Sequence, residues 1–163
     1  MSLNDTPSGE RAHIVFFGVR NAGKSSLVNA LTNQTVSVVS DVAGTTRDAI
    51  DSRFENDKGA FVFIDTAGMR KKSKVDDRIE KFSVLRATMA IERSDVCLIL
   101  IDAQEGVTEQ DTKVAGLAHE AGKACIIVVN KWDAVEKDDK TMDKMRADVR
   151  RDLSYICLLY TSP

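Results

Sequence analysis

Gly18-Val-Arg-Asn-Ala-Gly23-Lys24-Ser25 fits the pattern G-x-x-x-x-G-K-[ST]. Its glycines allow a backbone to wrap phosphate groups with the amides pointing inward. Lys24 adds a cation for the β- and γ-phosphates, and the Ser25 hydroxyl is a ligand for Mg²⁺. Asn21, Ala22, Gly23 and Ser26 complete the expected phosphate-binding set. Asp65-Thr-Ala-Gly68 supplies a second Mg²⁺ residue, Asp65, expected to act through water, and the Gly68 amide for the γ-phosphate. Alone, such a D-x-x-G is an ordinary strand-end turn; downstream of the first segment it is specific. In Asn130-Lys-Trp-Asp133 the Asp133 carboxylate can accept two hydrogen bonds from guanine N1 and N2. Adenine offers neither donor, and a buried polar group left unpaired is costly, so the segment selects guanine. Asn130 is expected at the N7 side of the base and Lys131 beside the ring. Finally, Gly44-Thr-Thr46-Arg-Asp48 offers hydroxyls that can close over the γ-phosphate and Mg²⁺, to be released on hydrolysis.

The elements that must position these residues are readable as strands alternating with helices. Ile14 to Phe17 is an apolar run ending at Gly18, and Lys24 to Leu31 reads as a helix with Leu27, Val28 and Leu31 on one face. A polar stretch follows from about Asn33 to Asp48. Phe61 to Ile64 is a strand ending at Asp65. Asp76 to Arg93 is predicted as a long helix with Ile79, Phe82, Leu85 and Met89 on one side. Val96 to Ile101 is a strand ending at Asp102. A helix follows with Thr108 as N-cap and Gly122 as its stop. Ala124 to Val129 is a strand ending at Asn130, and Met142, Met145, Val149 and Leu153 mark a last helix. Continuous apolar strands between amphipathic helices predict a mainly parallel sheet with helices on both faces. Ligands bind at the carboxyl ends of such strands, where the chemically distinctive segments begin.

Bulk properties narrow the class. With 163 residues the chain suffices for one domain with a sizeable core. A formal net charge of −2 implies no global attraction to nucleic acid or membrane. No apolar run reaches membrane-span length and the N-terminus lacks an apolar signal core, so a cytoplasmic location is expected. Cys97, Cys125 and Cys157 are dispersed without a CxxC and read as small buried hydrophobes. Residues 1–11 are expected to be a flexible lead-in and 12–155 a single domain, with 156–163 an atypical tail.

The four segments together resemble the G1 to G4 motifs of the translation-factor-like GTPases. From about Val42 to Leu153 the chain resembles the second G domain of the Der (EngA) family of ribosome-assembly GTPases. The residues that carry this are Ala43-Gly-Thr-Thr-Arg-Asp-Ala-Ile-Asp51, Asp65-Thr-Ala-Gly-Met-Arg-Lys-Lys-Ser-Lys-Val75, Ala90-Ile-Glu-Arg93, Gly106-Val-Thr-Glu-Gln-Asp111, Ala118-His-Glu-Ala-Gly-Lys123 and Val128-Val-Asn-Lys-Trp-Asp133. The first forty residues differ. Ser2 to Arg11 and Phe17-Gly-Val-Arg-Asn-Ala-Gly-Lys-Ser-Ser26 resemble the opening of the HydF family of hydrogenase-maturation GTPases, with Val19-Arg-Asn21 where the Der family has Arg-Pro-Asn. A chimeric join near Val42 is the resulting expectation.

The resemblance implies a P-loop GTPase (Ras-like) three-layer α/β fold and Mg-dependent hydrolysis of GTP to GDP, used as a conformational switch in assembly of the large ribosomal subunit. Many switch GTPases place a water-orienting Gln where this chain has Met69. The resemblance implies K⁺ instead, held partly by Asn21, as the extra positive charge. It also implies Thr46 as an Mg²⁺ ligand. Lys24, Thr46, Gly68 and Asn21 are thus the expected catalytic set. Arg70, Lys71, Lys72 and Lys74 form a basic cluster, ordinarily a solvated charge run; its functional reading is a contact with ribosomal RNA or a neighbouring domain. Tyr155-Ile-Cys-Leu-Leu-Tyr-Thr-Ser-Pro163 stands where a G5 segment, sixth strand and final helix belong, so these are expected to be lacking. Two alternatives stay open: the G domain of the hydrogenase maturase, and a guanine-nucleotide-binding module that does not hydrolyse.

Overall fold

The computed structural model describes residues 11–19, 22–33, 37–43, 50–65, 84–154 and 156. Among the described residues the elements run β1 (Ala12–Gly18), α1 (Lys24–Asn33), β2 (Ser37–Ala43), β3 (Ile50–Asn56), β4 (Gly59–Ile64), α2 (Val84–Arg93), β5 (Val96–Asp102), α3 (Glu109–Glu120), β6 (Ala124–Asn130) and α4 (Thr141–Asp152), with a 3-10 turn at Trp132–Ala134. None of these helices is long and apolar enough to cross a membrane. They fall into two compact units, one drawn from 1–15 and 25–95, the other from 16–24 and 96–163.

In the first unit the strands lie in the order β2-β3-β4-β1. β4 runs parallel to β1, with Ala12 to Val15 opposite Phe61 to Ile64, while β2-β3 and β3-β4 are antiparallel. The stretch read as polar from Asn33 to Asp48 therefore contains a strand. Ser37-Val-Val-Ser-Asp-Val-Ala43 has too mixed a pattern to announce itself, and its pairing with β3 makes it one. The core of this unit contains Val15, Val28, Val62, Phe63, Ile64, Ala87, Ala90 and Ile91.

Helix α2 carries Leu85 and Met89 on one side, as its spacing predicts, but that side faces outward. Leu85 and Met89 are 70% and 43% exposed, whereas Ala87, Ala90 and Ile91 are buried. At about 100° per residue the two sets lie on opposite sides of the helix. Alanines carry little hydrophobic weight in a sequence reading, yet their small size permits close packing of the helix backbone. Ile79 and Phe82 lie outside the described residues.

In the second unit β5 and β6 are parallel in continuous register, from Val96 opposite Ala124 to Asp102 opposite Asn130. The core is built from Phe16, Cys97, Ile99, Leu100, Ile101, Val114, Ala115, Ala118, Val149 and Leu153. Burying each larger apolar side chain contributes roughly 1.5–3 kcal/mol. β6 is less covered than its apolar run predicts, with Ile126 exposed and Ile127 to Val129 half-buried. On α4, Val149 and Leu153 are buried as their spacing predicts, but Met142, at the start of the helix, is exposed. Helix α3 begins as predicted. The Thr108 hydroxyl accepts from the Asp111 amide and the Asp111 carboxylate accepts from the Thr108 amide, a reciprocal capping box. Gly122, with φ +69°, follows its end.

Candidate nucleotide-binding site

In the second unit β1 ends at Gly18, and the loop to α1 is shaped by steric limits that only glycine meets. A Cβ at Gly18 would lie 2.6 Å from the Leu100 carbonyl oxygen, and one at Gly23, where φ is +100°, would lie 2.1 Å from Asn130 Nδ2. Between them the Ala22 amide donates to the Val19 carbonyl at 3.2 Å, and Ala22 is fully buried. Lys24 opens α1 and turns its ammonium back over the loop, donating to the Gly18 carbonyl at 2.5 Å and the Val19 carbonyl at 3.0 Å. A cation is thereby fixed at a helix N-terminus that follows a glycine-bearing loop, an arrangement suited to anionic phosphate groups.

At the end of β6 the Asn130 side chain donates to the Ala22 carbonyl at 2.8 Å, and its backbone carbonyl accepts from the Ala103 amide at 2.9 Å. Lys131 then turns left-handed, at φ 58° and ψ 33°, and its ammonium bonds Asp102 at 2.6 Å. Asp102 is buried at the end of β5, and its other oxygen accepts from the Gln104 amide at 2.9 Å. The Lys131 hydrogen bond is the largest influence holding the Asp102 carboxyl below its ordinary pKa, with backbone amides of Gln104 and Glu105 adding to it against burial. The left-handed turn leads into the 3-10 segment that carries Asp133, which is exposed. The Lys137 ammonium lies 5.8 Å from the centre of the Trp132 ring in that segment. Ala22, Gly23, Lys24 and Asn130 are thus brought together, with Lys131 and Asp133 following directly.

Sequence reasoning missed Asp102 as part of this arrangement. The usable signal was an acidic residue closing a buried strand in register with Asn130.

In the first unit Ser25 and Ser26 occupy the first turn of α1, half-buried and exposed respectively. Asp65 follows β4 in a left-handed conformation, φ 57°, uncommon for a residue with a side chain. Its amide donates to Asp51 Oδ1 at 3.0 Å, and its carboxylate receives both Nε and Nη2 of Arg86, at 2.8 and 2.6 Å. Arg93, on the same helix α2, pairs with the other Asp51 oxygen. From the sequence Asp51 and Arg93 entered only as parts of the resembling segments, with no role given to either, and Arg86 was not noted. Asn21, Thr46 and Gly68 lie outside the described residues.

Residues 13–131 match the family described as 50S ribosome-binding GTPase. Among curated proteins the chain is similar to GTPase Der of Alkaliphilus metalliredigens, 56% identical over 143 residues that make up 88% of this chain and 32% of that protein. It is similar to GTPase Der of Acetivibrio thermocellus at 57% identity with the same coverage, and to that of Clostridium botulinum at 54% over 147 residues, 90% of this chain and 34% of that one. The chain spans about a third of the length of these relatives. Among solved structures it resembles Era in complex with MgGDPNP and nucleotides 1506-1542 of 16S ribosomal RNA, with a TM-score of 0.63 and 25% identity over 91% of this chain and 49% of that one. The fold is shared with translation elongation factor SelB of Methanococcus maripaludis, solved with the GTP analogue GppNHp: TM-score 0.60, 17% identity, 87% of this chain and 26% of that one. The expected fold class holds: by its P-loop, its mostly parallel α/β architecture and the match from residue 13 to 131, the chain belongs to the 50S ribosome-binding GTPase family.

Proposed function

We propose that residues 12–155 form one G domain that binds GTP and GDP and hydrolyses GTP as a switch in assembly of the large ribosomal subunit, in the cytoplasm. The observation that carries this reading is the bond from Asn130 to the Ala22 carbonyl, which joins a guanine-reading segment to a phosphate-binding loop. Asp133 is assigned to guanine N1 and N2, Lys131 to the side of the base, and Lys24 to the β- and γ-phosphates, with Ala22, Gly23, Ser25 and Ser26 lining the phosphate path.

Mg²⁺ fits the donor set. Ser25 and Asp65 offer hard oxygens, and no group of three or more His, Cys, Asp or Glu that could cage an ion occurs among the described residues. An ion held by one or two side chains, phosphates and water is the usual Mg²⁺ arrangement. When bound, Mg²⁺ neutralises charge on the phosphates. Thr46 and Gly68 are assigned to the ion and the γ-phosphate by resemblance, and Asn21 to K⁺. The sequence feature behind K⁺ is Met69, which cannot orient water as a Gln would. The basic residues 70, 71, 72 and 74 are assigned to contact with ribosomal RNA; the similar protein Era was solved in complex with nucleotides of 16S ribosomal RNA.

The test is binding of fluorescent GDP to this chain, with unlabelled GDP and ADP as competitors, followed by single-turnover hydrolysis in K⁺ and in Na⁺. Displacement by GDP alone and faster hydrolysis in K⁺ are expected. Displacement by ADP would overturn the guanine assignment, equal rates in the two salts the K⁺ assignment, and binding without turnover would favour the non-hydrolysing module. A join near Val42 is a further reading, resting on Ser2 to Arg11 and Phe17 to Ser26, with Val19-Arg-Asn21 among them. One uninterrupted genomic clone across that codon would remove it, and with it the maturase alternative.

A further inference from the structure

Helix α2 presents two arginines seven residues apart, two turns along one face. Both reach the surroundings of Asp65. Arg86 grips the Asp65 carboxylate with two hydrogen bonds, at 2.6 and 2.8 Å, one to each oxygen. Arg93 pairs with Asp51, the residue whose carboxylate also accepts the Asp65 amide at 3.0 Å. The carboxylate and the left-handed backbone of one residue are therefore both fastened, directly or through Asp51, to the same helix. The Asp65 side chain is mostly buried, at 17% exposure, while Arg86 is 56% exposed. A two-pronged arginine–carboxylate pair has strong geometric preference, yet an exposed guanidinium is readily rehydrated when a stronger cation competes.

We propose that Arg86 is a built-in competitor for the metal at Asp65, holding the carboxylate until Mg²⁺ displaces it and so linking metal occupancy to release of the Arg86 side chain. The inference rests on the assignment of Asp65 as an Mg²⁺ residue. A guanidinium and a divalent ion drawn to the same two oxygens repel each other, so occupancy by one weakens the other. The metal must bind against the population in which Arg86 is seated, and its apparent affinity is lowered by that fraction. Arg93 and Asp51 stay in place and keep the Asp65 backbone in its turn while the side chain changes partners.

The test uses the whole chain loaded with fluorescent GDP and follows GDP release against Mg²⁺ concentration. Arg86→Gln should lower the Mg²⁺ concentration for half-maximal slowing of release about fivefold, and Arg86→Lys by less, since one ammonium replaces a fork. GDP affinity in EDTA should be unchanged. In ¹⁵N spectra the Arg86 Nε–H signal should be protected without metal and lose that protection in Mg-GDP. If release from the unaltered chain does not respond to Mg²⁺, the assignment of Asp65 and this inference both fail. If it responds but Arg86→Gln, folded by circular dichroism, follows the same curve, only the inference fails. Should that variant not fold, the Nε–H signal decides: persistence of the protected signal in saturating Mg-GDP overturns the proposal.

Discussion

Asn130 Nδ2 lies 2.8 Å from the carbonyl oxygen of Ala22, a bond between residues 108 apart in the sequence. It makes the geometry of the loop before α1 depend on the end of β6. Replacing Asn130 with Ala should remove this tie as well as its proposed contact with the base. GDP affinity is expected to fall at least about tenfold, near 1.4 kcal/mol, on titration with fluorescent GDP. The melting temperature should fall by only a few degrees, since one part-buried neutral hydrogen bond contributes about 1 kcal/mol. Unchanged GDP affinity would show that the tie is incidental to binding.

Gly23→Ala probes the same junction from its other side. The new methyl would meet Asn130 Nδ2 and hold a positive φ that side chains disfavour. Asn130 can swing aside but then loses Ala22, while the backbone strain of about 1–3 kcal/mol remains. Urea unfolding should show that loss, with GDP binding weakened alongside. A variant as stable as the parent would count against the described loop conformation.

Lys131→Met leaves the buried Asp102 carboxylate without its ammonium partner. Loss of one member of a fully buried pair costs about 3–5 kcal/mol; with Lys131 about a third exposed, roughly 1–3 kcal/mol is expected at pH 6. The sign with pH is fixed by the lowered pKa of Asp102. Its contribution is fully present above the unfolded value, about 4, and disappears as pH falls through the lower folded value. The stability gap between parent and variant should therefore narrow as pH falls below about 4 in urea titrations. A constant gap would assign the loss to packing of the lysine stem.

Burial, and secondarily Cys97 opposite it, push the Cys125 thiol up to about 11. At pH 8 that leaves about one thiolate in a thousand, so native alkylation at Cys125 should be about a hundredfold slower than in urea. Mass mapping of the Cys125 peptide after timed iodoacetamide treatment reads this directly; equal rates would show an accessible, unperturbed thiol.

Much of this was legible in the sequence because the relevant signals were local. Gly18, Gly23, Lys24 and Asn130 each sit at a strand end or helix start that apolar runs mark clearly, and Thr108 announces its helix through Asp111. The buried face of α2 was not legible because Leu85 and Met89 outweigh Ala87 and Ala90 in hydrophobicity, although shape decides which side packs. Strand β2 was missed because its partner β3 supplies the reason it is a strand. The linkage of Arg86 and Arg93 to Asp65 and Asp51 spans 21 and 42 residues. It depends on where α2 lies beside the ends of β3 and β4, which periodicity does not encode.

The two carbonyls that hold Lys24 have a calorimetric consequence. A free lysine side chain surrenders up to about 2 kcal/mol of rotational freedom when it is pinned against a ligand. Here much of that ordering has taken place during folding, because Gly18 and Val19 already fix the ammonium. Phosphate recognition by this loop is therefore expected to carry a smaller entropic penalty than the same lysine would incur on an open surface, and the loop behaves as a receptor prepared in advance of its ligand.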